Sequence, residues 1–317
     1  MKFLWFTLAS QSLVFKAYGL EHWLYSSPLD NATMNILERV DDLVGVQSLY
    51  SWKSLEPAQG EYNFTALEDD FARVRAKGKK FWVQLQDRSF SPQYDPVPSY
   101  LKTPYYNNGS APTCDGENCA AKFTVNGSVA QQWNPRVRER FQALLSAMAA
   151  KLDNRIYGIN LAETSIEVDH KSNNYSDEDY FRGSLENAAY ARSVFNHSHV
   201  VQYMNFWPDG WGNAKDRFNT SFDFLAKHNV GVGGPDLIPF KPGQENNSYR
   251  FIRAYHDRLP ITVVAVQEPT LKEENPYTHK PFTKAEFVDY AEKNLSVSII
   301  FWATTSPWLL EATNKTL

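Results

Sequence analysis

Two glutamates stand out for the residues in front of them. Glu163 closes the run Ile156-Tyr-Gly-Ile-Asn-Leu-Ala, and Glu268 closes Ile261-Thr-Val-Val-Ala-Val-Gln. Short, β-branched and nearly continuous apolar runs are the signature of parallel strands covered on both faces. In a barrel of such strands, groups at the C-terminal strand ends gather over one mouth. Two carboxyls about 5–5.5 Å apart at that mouth are what retaining glycoside hydrolysis needs. One must be protonated to assist the leaving oxygen, and the other ionised to attack the anomeric carbon. Proximity itself pushes their pKa values apart.

Other chemistries find no footing. The sequence has no G-x-S-x-G elbow, no H-E-x-x-H and no Walker loop, so serine hydrolase, zincin and nucleotide chemistry drop out. Glu167, Asp169 and His170 are spaced i, i+2, i+3 in a polar stretch, which reads as a solvated loop rather than a metal site. Glu56 beside Pro57 reads as a structural turn residue. No metal and no organic cofactor is implied. Cys114 and Cys119 are the two cysteines; a zinc site would need two more ligands, and C-x4-C in an oxidising compartment reads as a small disulfide within a loop.

The elements that must position the glutamates alternate along the chain. Strands are expected near 22–26, 43–50, 80–86, 156–162, 199–205, 229–233, 261–267 and 296–302. Helices are expected over 65–77, 135–152, 177–194, 214–228, 246–257 and 283–293. Leu67, Phe71 and Val74 mark one face of the first, closed by Gly78; Asn134 and Pro135 open the second. A short last helix over 307–313 takes Ser306 as its cap. Eight strands interleaved with helices is the pattern of a single (β/α)8 barrel, an α/β fold. The alternative, a doubly wound sheet, normally carries a Gly-rich phosphate loop after its first strand, and here only Gly231-Val-Gly-Gly234 occurs, late in the chain. Residues 87–133 form a long connection after strand three, rich in Pro, Tyr, Asn and Gly, of the kind that builds functional walls.

Strand alternation nominates supporting residues. Trp82, Gln84 and Gln86 share one face of strand three, and amides in an apolar strand read either as a substrate-facing row or as partners of barrel backbone and water. Arg88 lies just beyond, in reach of a catalytic carboxylate. Tyr203 and Asn205 share a face at the end of strand five, and Asp236 follows strand six in Gly233-Gly-Pro-Asp. Asn160, two residues after Gly158, joins this substrate-binding set.

The segment Tyr50-Ser-Trp52-Lys-Ser-Leu-Glu56-Pro57-Ala-Gln-Gly60-Glu-Tyr-Asn-Phe64 resembles the W…EP.G.Y.F segment after strand two of the clan A glycoside hydrolases, the β-galactosidase, cellulase and mannanase barrels. Asp69 to Gly78 followed by Phe81-Trp-Val-Gln-Leu-Gln86 resembles the next helix and strand of that clan. The resemblance runs from about 22 to 304 and implies a barrel in which Glu163, on strand four, is the acid/base and Glu268, on strand seven, the nucleophile. It also implies a sugar-stacking role for Trp302 at the end of strand eight, with Trp207, Trp211, Tyr105 and Tyr106 as extensions of the platform. One departure is plain: where clan members carry Asn before the acid/base, this chain has Ala162.

The chain has 317 residues, 43% hydrophobic and 15% aromatic, with a formal net charge of −4. That is a globular balance with no basic footprint, so no nucleic-acid partner is expected. Residues 1–19 read as a secretory signal peptide: Lys2, an apolar run from Phe3 to Phe15, and small residues in Ala17-Tyr-Gly19. The alternative is a first strand or helix of the domain. No stretch is apolar enough to span a bilayer, so no membrane partner is expected, and 20–317 is read as the catalytic barrel. Asn31, Asn63, Asn108, Asn126, Asn174, Asn196, Asn219, Asn246, Asn294 and Asn314 each open an N-x-S/T sequon. Ten sequons among 23 asparagines stand against roughly three expected by chance, which points to an extracellular glycoprotein. The expectation is therefore a secreted retaining β-glycosidase acting on a carbohydrate substrate. The rivals are a non-catalytic carbohydrate-binding barrel and a polysaccharide lyase or transglycosylase on the same scaffold.

Overall fold

The structure is a computed structural model that describes residues 19–114, 124–169, 174–208, 210 and 212–314. Residues 1–18 of the expected signal segment lie outside the described residues, as do Cys119, His170 and Trp211. Among the described residues no helix is long and apolar enough to cross a membrane.

Eight strands form the frame: β1 (Glu21–Ser26), β2 (Leu43–Ser51), β3 (Lys80–Gln86), β4 (Gly158–Leu161), β5 (His199–Tyr203), β6 (Gly231–Gly234), β7 (Thr262–Val266) and β8 (Ile299–Ala303). Each pairs in parallel with the next, and β8 returns to β1 with Glu21 opposite Ile299, so the sheet closes on itself. Between them run α1 (Asn31–Arg39), α2 (Thr65–Ala76), α3 (Pro135–Leu152), α4 (Asp177–Val194), α5 (Arg217–Lys227), α6 (Ser248–Tyr255), α7 (Lys284–Asp289) and α8 (Pro307–Asn314). The protein is a single (β/α)8 barrel, as the alternating pattern predicts.

The helix ends follow local chemistry. Asn134 caps α3 with its side chain on the Arg136 amide, and Pro135 fills the first position, where no N–H is needed. Thr283 and Glu286 close a reciprocal capping box on α7. Ser306 opens α8 differently from expectation. Its carbonyl receives the Leu309 and Leu310 amides, while its buried hydroxyl has no partner. Two elements depart from the sequence reading. α1 was not expected, since its buried stripe of Met34, Ile36 and Leu37 is too short to show a clear helical period. The long connection after β3 is not plain loop: Arg88–Ser89, Val125–Ala130 and Ser110–Cys114 pair into an antiparallel sheet beside the barrel mouth.

The barrel interior is built in layers. At the base Trp23, Trp82 and Phe301 meet edge to face, with Trp82 and Phe301 centroids 5.4 Å apart. The indoles fit because glycines face them: a Cβ at Gly45 or Gly158 would lie 2.5 Å from a tryptophan ring. Above this layer the interior turns polar. Gln47 Nε2 donates to Asn160 Oδ1 at 2.9 Å and to the Tyr203 hydroxyl at 2.8 Å, and Trp82 Nε1 donates to Asn160 Oδ1 at 3.0 Å. This layer is the floor of the mouth.

Candidate active site

Glu163 sits just beyond β4, half-buried, at the edge of a cavity of about 610 Å³ over the C-terminal strand ends. The Ser165 hydroxyl donates to its Oε1. Burial pushes its carboxyl up, opposed by the Ser165 hydrogen bond, the Arg88 charge and a hydrogen bond from Asn205. Arg88 works mainly by gripping the loop that carries Glu163. It is buried and donates to the Ser165 carbonyl and, at 3.1 Å, to the Tyr180 hydroxyl, which in turn donates to the Thr164 carbonyl at 3.1 Å. Asp87, 3.4 Å from Arg88 Nε, supplies the counter-charge and is itself held by Gln132 at 2.7 Å. The expected direct pairing of Arg88 with a catalytic carboxylate is therefore replaced by an orienting role plus a field.

Two walls of the cavity come from β3. Gln84 and Gln86 line it, and the Oε1 atoms of both are buried without a hydrogen-bond partner. Opposite them stands the loop after β6. Asp236 lines the cavity, its Oδ1 3.5 Å from the Thr270 hydroxyl. Burial, then the charge of Glu163, push its carboxyl up to about 7, partly offset by Thr270 and reinforced by Glu273. Tyr203 lines the cavity with its ring, while Asn160 is wholly buried in the floor, engaged with Gln47 and Trp82 rather than open to a ligand.

Glu268 takes a different place. Ile261, Val263 and Ala265 of the β7 segment pack in the barrel interior, so alternation turns Gln267 inward and Glu268 outward. Gln267 lines the cavity and donates to the Pro235 carbonyl at 2.9 Å. Glu268 is exposed at the rim, its Oε1 3.4 Å from the Thr305 hydroxyl, and it is not among the cavity-lining residues. Its charge still reaches the mouth, where it helps raise the Tyr25 hydroxyl to about 12 behind the larger effect of burial.

Alternation also moves the expected aromatic platform. On β8 Phe301 faces the interior, so Trp302 faces the helices, fully buried with Trp308 at 4.8 Å and its Nε1 on His22 at 3.1 Å. Trp207 is buried against Phe181, Tyr106 is buried in the core, and Tyr105 is exposed but stacked on Arg136 outside the cavity. The aromatic side chains that line the mouth are Tyr25, Phe90, Tyr94 and Tyr203 instead. Tyr25 was readable as the inward neighbour of Trp23; Phe90 and Tyr94, 56% and 46% exposed, lie in the long connection, where no period marks them.

The segment that carried the family resemblance is a clasp. Fully buried Glu56 accepts from Trp52 Nε1 and the Gly60 amide, each at 2.8 Å, and from Arg140. Gly60 adopts a φ of +77°, the left-handed region that favours glycine. Among the described residues no group of three His, Cys, Asp or Glu side chains is arranged to hold a metal. Asn31, Asn63, Asn108, Asn174, Asn196, Asn219, Asn246 and Asn294 are exposed, Asn126 is half-buried, and the Asn314 side chain lies outside the described residues. Cys114 ends its strand in the buried region, and the expected pairing with Cys119 falls outside the described residues.

No protein-family model matches the sequence, and no curated protein matches it. Solved structures do match. The catalytic domain of a beta-amylase from Paenibacillus polymyxa aligns with a TM-score of 0.50 at 11% identity, covering 94% of this chain and 90% of that one. A beta-galactosidase from Bacillus circulans aligns at 0.56 and 13% identity, covering 90% of this chain and 50% of its own. A family 39 glycoside hydrolase from Bacteroides cellulosilyticus aligns at 0.50 and 12% identity, covering 90% and 56%. The fold is that of these glycoside hydrolase barrels. The chain spans about half the length of the latter two, and likeness at such identities speaks for the scaffold alone.

Proposed function

We propose that this protein is a secreted glycoside hydrolase that cleaves a β-glycosidic bond in a poly- or oligosaccharide with retention, using Glu163 as one of its two catalytic carboxyls. The observation that carries this reading is the composition of the mouth. A half-buried carboxyl shares a cavity with two buried amide oxygens, Gln84 Oε1 and Gln86 Oε1, that accept from nothing. Buried acceptors without donors are costly, about 1–3 kcal/mol each, until a ligand supplies O–H groups. Sugars do so, and their C–H faces suit the rings of Tyr25, Phe90 and Tyr94. The leader-like first residues and the eight exposed sequons support passage through a secretory pathway.

The test is a panel of β-linked glycans incubated with the wild type and with Glu163→Gln, the product anomers being read by proton NMR. Cleavage by the wild type with the β anomer formed first, and a loss of at least about 10³-fold in the variant, is the expected result. A second reading, a non-catalytic carbohydrate-binding barrel, is favoured by Ala162 and by the exposure of Glu268. Under it every glycan returns intact while binding persists.

A further inference from the structure

We infer that the second catalytic carboxyl is Asp236, at the end of β6, and that it serves as the proton donor while Glu163 serves as the nucleophile; this rests on the hydrolase reading above. The first ground is placement. Asp236 and Glu163 line one cavity and feel each other's charge, whereas Glu268 stands outside it, exposed.

The second ground is that Asp236 is held as a preorganised group is held. The Leu237 amide donates to the Ala265 carbonyl at 2.7 Å. The Asp236 carbonyl accepts from the Tyr249 hydroxyl at 3.0 Å and from Gln244 Nε2 at 3.1 Å. The Ile238 amide donates to the same Tyr249 oxygen at 2.8 Å, and Gln267 holds the Pro235 carbonyl. The backbone on both sides of the aspartate is thus fixed, and its carboxyl is left facing the cavity.

The third ground separates the roles. Glu163 has donors for its charged form: the Ser165 hydroxyl, Asn205 and the field of Arg88. Asp236 has one distant hydroxyl, Thr270, and faces the negative groups Glu163 and Glu273. Burial pushes both carboxyls up, but the glutamate alone has a hydroxyl, an amide and a cation together opposing that push, so of the two the proton is assigned to the aspartate. In the first step a Glu163 carboxylate oxygen bonds to C1 as the C1–O bond to the leaving group breaks, and Asp236 gives its proton to the departing oxygen. In the second, water attacks C1, its proton passes to the Asp236 carboxylate, and the bond from C1 to Glu163 breaks.

The experiment compares 2,4-dinitrophenyl β-glycosides, whose leaving group needs no proton, with unactivated β-linked oligosaccharides. The proteins are the wild type, Asp236→Asn, Asp236→Glu, Glu163→Gln and Glu268→Gln, each checked for a wild-type-like thermal transition. Asp236→Asn is expected to lose about 10²–10⁴-fold in kcat/KM on oligosaccharides but to stay within about tenfold in kcat/KM on dinitrophenyl glycosides, with kcat on the latter falling because the water step has lost its base, and with Asp236→Glu recovering part of the loss. Glu163→Gln is expected to fail on both, and Glu268→Gln to keep both. If Asp236→Asn keeps wild-type rates while Glu268→Gln loses them, the assignment to Asp236 is overturned and the hydrolase reading stands. If the wild type binds the glycans and cleaves none of either kind, the hydrolase reading falls and takes the assignment with it.

Discussion

A carboxyl group is cheap to expose and costly to bury, so the placement of each acid here has a thermodynamic signature. Asp236 titrates near 7 in the folded protein, raised by burial and then by Glu163, against roughly 3.9 in an unfolded chain. Between those values the folded state holds a proton that the unfolded state has released. Unfolding therefore becomes easier as pH rises through the window, and the contribution is fully present only below about pH 4. Asp236→Asn cannot ionise. It is expected to match the wild type near pH 4 and to exceed it near pH 8, by at most about 4 kcal/mol. Urea unfolding at the two pH values measures this, and an equal difference at both would show that the aspartate is not held protonated. The same scale explains what was readable in the sequence. Glu163, Gln84, Gln86, Tyr203 and Asp236 do line the mouth, because their strands end where the apolar runs end. Glu268 and Trp302 do not, because a strand's alternation is fixed by the interior packing of Ala265 and Phe301, and a one-residue slip in parity turns a side chain from cavity to rim or helix layer.

At the scale of elements, β6 is tightly hemmed in by its neighbours. Its sequence Gly231-Val-Gly-Gly234 lacks the signature of a phosphate loop, and two of its glycines, Gly231 and Gly233, do a packing job. A Cβ at Gly233 would lie 2.6 Å from Val263 Cγ2 and 2.8 Å from the Tyr203 ring. Tyr203 in turn reaches across the interior to Gln47. Gly233→Ala is expected to cost about 1–3 kcal/mol, as overpacking of a tight core does, and to weaken turnover because Asp236 lies three residues on. Chemical denaturation together with glycan hydrolysis checks both effects; unchanged stability would mean that β6 has more room than its neighbours indicate. All eight strands were legible, most of them as apolar runs and the glycine-rich β6 by its place in the alternation of strands and helices. The small sheet after β3 was not. Ser110–Cys114 and Val125–Ala130 are short, mix Pro and Gly, and are strands only because they pair with each other and with Arg88–Ser89.

Over the whole molecule, a barrel has two unlike ends, and the sequons are not spread evenly between them. Asn31, Asn63, Asn108, Asn174 and Asn246 fall in segments that leave a strand's C-terminal end and lead into a helix, the side on which the cavity opens. Asn196 and Asn294 precede the next strand and so belong to the opposite end. Glycans carried there would ring the mouth without entering it, since none of these asparagines lines the cavity. Such a ring would keep the exposed rims of Phe90 and Tyr94 from self-association while leaving the groove open to a sugar chain. The eight exposed sequons are expected to be occupied when the protein is secreted from a eukaryotic host. Asn126, half-buried in a paired strand, is expected to be bare. Enzymatic deglycosylation in heavy-oxygen water converts each occupied asparagine to a labelled aspartate, and peptide mass mapping reads them individually. Occupancy at Asn126 but not at the mouth-side sites would contradict this surface. Removal of the glycans is expected to leave the dinitrophenyl glycoside rate unchanged while altering the rate on polymeric substrate, because only a long chain must pass the rim.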